Sequence, residues 1–73
     1  MSDASEAIRR ALLEMLLGRV EGDRYPSYTM LDTIETLIRT PEEARRYARL
    51  LLRDIERSPY PSFTTIGRVQ ALI

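Results

Sequence analysis

The chain has 73 residues, with 11 basic and 11 acidic side chains and therefore no net charge. A single domain this small buries only about 60% of the surface its unfolded form exposes, and the absence of cysteine and histidine removes disulfides and structural zinc as sources of extra stability. Self-association or docking on a partner is the remaining aid, and the neutral balance argues against a strongly basic nucleic-acid binder.

All eleven basic residues are arginine, and lysine and asparagine are absent. GC-rich coding produces such a bias, which suits a bacterium or one of its phages. Met1 to Glu6 is polar and acidic, and no apolar run exceeds four residues. Neither a secretory leader nor a membrane span is expected, so the reading is a cytoplasmic protein.

Four helices are expected. The first runs from about Asp3 to Glu21, with Asp3 or Ser5 as N-cap and Gly22 just past its last apolar residue, Val20. The second runs from about Tyr28 to Arg39, capped by Ser27 after Pro26. The third has the clearest start: Thr40-Pro41-Glu42-Glu43 places a capping residue, a proline at the first helical position and a glutamate at the third. It runs to about Arg57, with acids at its head and arginines at its tail. The fourth follows the Ser62 cap and continues to Ile73.

Tyr25-Pro26-Ser27-Tyr28-Thr29 returns thirty-five positions later as Tyr60-Pro61-Ser62-Phe63-Thr64, and both copies close on Leu-Ile. A fixed period of this length marks a duplicated supersecondary unit. The fold class expected is all-α: a small helical bundle made of a tandem duplicated hairpin, repeat one over 5–39 and repeat two over 40–73, within one domain. Tyr25 and Tyr60 are expected to wedge their loops against the following helix. With an aromatic at the helix start and Glu42-Glu43-Ala44 opening the next repeat, the pattern resembles the pentatricopeptide and wider helical-hairpin arrays. That resemblance implies stacked hairpins and, in the pentatricopeptide family, RNA read one base per repeat. The family's turn glycine is replaced around Thr40-Pro41, and no functional residue carries across.

Helix three shows an apolar stripe of Ala44, Tyr47, Ala48, Leu51 and Ile55. Helices two and four show Leu31, Ile34, Leu37, Ile38 and Ile66, Val69, Leu72, Ile73 in similar spacing. On helix one the repeat assigns the core to Leu12, Leu13, Leu16 and Val20. A second stripe, Ala4, Ile8, Ala11, Met15 and Gly18, lies roughly 120° away at about 100° per residue. Its 4-3-4-3 spacing is the heptad seam of paired helices, and its small residues let two backbones approach closely.

That seam makes the expected function a non-catalytic protein–protein interaction module. It would act as a homodimer or as a small accessory or regulatory subunit of a larger assembly, bound through Ala4, Ile8, Ala11 and Met15. Leu50, read as exposed opposite the helix-three stripe, is a secondary contact candidate, and Leu72-Ile73 offers another apolar end. The competing class is a nucleic-acid-binding regulator using the ridge of Arg45, Arg49, Arg53 and Arg57 to hold anions. Glu42 and Glu56 partly neutralise that ridge, and no aromatic residue is interleaved for base stacking. Without histidine or cysteine, the usual base and the strongest nucleophile are absent. No enzyme activity, cofactor, metal or small-molecule substrate is expected.

Overall fold

Three of the four helices begin where a side-chain oxygen, from Ser27, Thr40 or Ser62, replaces the missing carbonyl partner of the first turn. The protein is described by a computed structural model covering residues 3–23 and 26–73. Among these residues the fold is all-α: α1 (Asp3–Gly22), α2 (Tyr28–Leu37), α3 (Pro41–Arg57) and α4 (Phe63–Gln70). Two packing units emerge, residues 1–38 and 39–73, with α1 against α2 in the first and α3 against α4 in the second.

In the first unit, α1 carries Asp3 and Glu6 in its first turn and Arg19 in its last, the arrangement that complements the macrodipole. Since Asp3 is already helical, neither Asp3 nor Ser5 is the cap, and the position before Asp3 lies outside the described residues. Gly22 is the last helical residue rather than a left-handed cap; among the described residues no glycine has positive φ. The helix closes instead by Asp23 donating its N–H to the carbonyls of Arg19 at 2.9 Å and Val20 at 3.3 Å. Leu13, Leu17 and Val20 of α1 and Leu31 and Ile34 of α2 are the unit's buried apolar residues. Full burial of each contributes about 1.5–3 kcal/mol.

The core face of α1 is only partly the one the repeat assigns: Leu13 and Val20 are buried as expected, but the face is turned so that Leu17 takes the place of Leu12. Leu17 is fully buried, Leu16 is half-buried and Leu12 lies exposed at its edge. Leu13, Leu17 and Val20 share one side of the helix, and α2 packs there; Leu12 is turned roughly 100° from Leu13 and leaves that side.

The start of α2 follows expectation, with Ser27 Oγ accepting from the Met30 N–H at 3.1 Å. Its end comes at Leu37, two residues before Arg39, because Ile38 turns to extended backbone (φ −67°, ψ 129°). The cause lies downstream. Glu43 Oε1 accepts from the N–H groups of both Arg39 and Thr40, at 2.9 and 3.2 Å, while Thr40 Oγ1 accepts from Glu43 N–H at 3.2 Å. This reciprocal capping box ties Arg39 to the head of α3, and Pro41 keeps Thr40 extended.

In the second unit the buried residues are Tyr47, Leu50 and Leu51, all on α3; no residue of α4 is fully buried, and Ile66, Val69 and Leu72 are half-buried. Leu50, expected on the exposed side, is only 8% exposed. One helical turn from Tyr47, it sits roughly 60° to one side of that ring, and Leu51 sits roughly 40° to the other. The buried arc is centred on Tyr47, not on the Ala44–Ile55 line, so it takes in Leu50. Ser62 Oγ caps α4, accepting from Thr64 and Thr65 at 3.2 and 3.4 Å. α4 ends at Gln70, short of Ile73, and the chain finishes in i→i+3 bonds from Leu72 to Val69 and Ile73 to Gln70.

The wedge expected of Tyr60 is absent: its ring is 89% exposed. Tyr25, its counterpart, lies outside the described residues. No described helix is long and apolar enough to cross a membrane.

Candidate interaction surface on the first helix

α1 carries two apolar faces, and only one is covered. Leu13, Leu17 and Val20 face α2. Ala4, Ile8, Ala11, Met15 and Gly18 centre roughly 180° from them at about 100° per residue, and every one is exposed. Ile8 is 67% and Met15 55% exposed, figures that leave most of each side chain in water. The shift of the core from Leu12 and Leu16 to Leu17 widens the angle between the faces, so the seam points away from the packing side.

Two positions expected in other roles, Gly22 at the helix end and Leu12 in the core, extend the face. Gly22 continues the 4-3-4 spacing beyond Gly18, and a Cβ built at either glycine meets nothing within 4 Å. Leu12, 38% exposed, borders Ile8 on one flank. The helix therefore offers a ridge of Ile8, Leu12 and Met15 with a low floor of alanine and glycine beside it.

The opposite shoulder of α1 is fixed electrostatically. Arg9 reaches α2 and donates from Nη1 to the Leu37 carbonyl at 2.6 Å, satisfying an acceptor at the α2 C-terminus. Its Nε and Nη2 hold the two oxygens of Glu6 at 3.0 and 2.6 Å. Arg10 Nε adds a third contact to Glu6 at 3.2 Å. The hydrogen bond from Arg9, helped by the charges of Arg9 and Arg10, lowers the Glu6 carboxyl from its ordinary 4.5 to about 2. Only the i,i+3 and i,i+4 spacing of Glu6, Arg9 and Arg10 hinted at this cluster; the reach to Leu37 needs the tertiary fold.

The other candidates fare differently. Leu50 is buried in the monomer. Arg45, Arg49 and Arg57 are exposed and Arg53 is half-buried; successive members of the row turn by roughly 40° around α3, so they wind about the helix instead of forming a straight ridge. Asp54 sits among them, its carboxyl raised from 3.8 by burial while Arg53 and Arg57 pull it back. Ile73 is fully exposed, and Phe63 joins Tyr60 as an exposed aromatic at the α4 end.

No protein-family model, curated protein or solved structure matches this chain.

Proposed function

We propose that this protein is a non-catalytic interaction module whose α1 docks on another protein surface, as a homodimer or as a small accessory or regulatory subunit. The observation that carries the reading is the exposure of Ile8 and Met15 on the heptad face, opposite the side that α2 covers. Isolated exposed apolar residues are ordinary; a row aligned on one helix face with small neighbours is the pattern of a helix-packing surface.

The seam residues Ala4, Ile8, Ala11 and Met15 make the contact. Leu12 joins them at the border, and Leu50 is withdrawn from the surface because it is buried in the monomer. Ile8→Arg tests the reading. The variant keeps wild-type helical circular dichroism and loses association, with itself or with a co-purifying partner. Unchanged association in a folded Ile8→Arg protein would overturn the seam as the contact.

A further inference from the structure

The seam has heptad phase, and the phase assigns its flanks. With Ile8, Met15 and Gly22 at the a positions and Ala4, Ala11 and Gly18 at d, the e positions are Ser5, Leu12 and Arg19. The g positions are Ala7, Glu14 and Glu21. All of these except Leu12, which stands at the edge of the apolar ridge, are plainly exposed, and all lie within α1.

In a parallel pair, each g residue faces the e residue five positions later on the other helix. Here that pairs Ala7 with Leu12 of the second copy, apolar with apolar, and Glu14 with Arg19 of the second copy, acid with base. Symmetry supplies both contacts twice. An antiparallel pair instead sets g against g and e against e. With Ala11 opposite Met15, it would place Glu14 against its own copy at the symmetry axis and Ala7 beside Glu21. The parallel arrangement gives complementary partners to Ala7, Leu12, Glu14 and Arg19, whereas the antiparallel one sets Glu14 against Glu14.

We propose that the occupant of the α1 face is a second copy of this chain, paired in parallel and in register. The inference rests on the reading of that face as a protein contact and names its partner. Alanine and glycine at d, with open space at Gly18 and Gly22, let the helices approach closely. The zero net charge removes the general repulsion that keeps highly charged chains apart.

Charge exchange in the full chain, followed by sedimentation equilibrium, tests this. Glu14→Arg and Arg19→Glu each turn the two attractive flank pairs into repulsive ones and weaken self-association about tenfold. Mixed together, the two variants restore attraction at both pairs and associate with each other as well as wild type does. The native chain has no cysteine, so Ala4→Cys supplies a geometric readout. It cross-links on oxidation in the parallel pair, whereas in the antiparallel pair residue 4 of each copy lies about 27 Å from its equivalent. A wild type that dimerises through Ile8, yet is indifferent to charge exchange and fails to cross-link at Ala4→Cys, overturns the parallel pairing and leaves the seam standing. A wild type that stays monomeric at the highest attainable concentration overturns self-pairing. Ile8→Arg then decides separately whether the seam binds another protein.

Discussion

The two helical pairs share an order of elements and a loop motif, yet they bury different residues. At an offset of thirty-five, buried Leu17 corresponds to Leu52, which is exposed, and exposed Met15 corresponds to buried Leu50. Leu31 and Ile34 of α2 are buried, whereas Ile66 and Val69 of α4 are half-buried. The first unit draws its buried residues from both helices; the second draws them from α3 alone. Similar sequence therefore preserves where helices start, while burial is set by which side of each helix its neighbour covers. The exposed seam on α1 follows from that: at the matching positions the second copy has Arg39, just before the α3 cap, and Glu43 and Arg46 within α3, instead of Ala4, Ile8 and Ala11.

The contrast is broken hardest by placing one charge at equivalent positions. Leu50→Arg buries an unpaired guanidinium and abolishes the cooperative thermal transition of the second unit, a cost above about 4 kcal/mol. Met15→Arg leaves the melting curve of the monomer near wild type. Comparable destabilisation of the two variants in urea titrations would erase the asymmetry.

Truncation of the other equivalent pair comes next. Leu17→Ala opens a cavity and costs about 2–5 kcal/mol, while Leu52→Ala stays within about 1 kcal/mol because its side chain is already half in water. Denaturant midpoints measure both.

Electrostatics also separates the units. Arg9→Met removes a charged donor from the Leu37 carbonyl and costs about 1.5–3 kcal/mol; the exposed contacts to Glu6 add little to this. Because the folded Glu6 carboxyl lies below its unfolded value, its contribution is complete above 4.5 and drains away as pH falls toward about 2. Asp54 in the second unit has the opposite sign: its carboxyl is raised, so ionisation opposes folding as pH rises. Stability measured from pH 5 down to pH 2 falls in wild type and loses the Glu6 share of that slope in Arg9→Met. An identical slope in both proteins would show that Arg9 does not hold Glu6.

The smallest effects concern the helix ends and the seam floor. Thr40→Ala removes half of the capping box and costs about 1 kcal/mol in thermal unfolding. Gly18→Ala, entering open space within a helix, stabilises the monomer by about 0.5–1 kcal/mol. The same methyl weakens an assembly that approaches closely at Gly18, so stability and association move in opposite directions. If both rise together, the helices do not meet there.

The starts of α2, α3 and α4 were legible because a cap is a local device: Ser27, Thr40 and Ser62 need only the next three residues to act. The end of α2 was less legible, since Arg39 is claimed by Glu43 four residues beyond it. The seam was legible as a spacing, and its members are exposed. The misplacement of Leu50 and of the α1 core came from choosing the centre of an apolar arc. Periodicity states that an arc exists; it leaves the centre open by tens of degrees.

By itself, the sequence determined the all-α class, the four helices and the caps that begin three of them, because helical period and capping act over a few residues. It also determined that α1 carries more apolar surface than one packing side can use. Only the tertiary structure decided that Leu17 rather than Leu12 turns inward, that Leu50 is buried, and that Arg9 spans from Glu6 to the Leu37 carbonyl. Those outcomes depend on the rotation of one helix against another, which is settled by the whole packed surface and not by any residue's immediate neighbours in the chain.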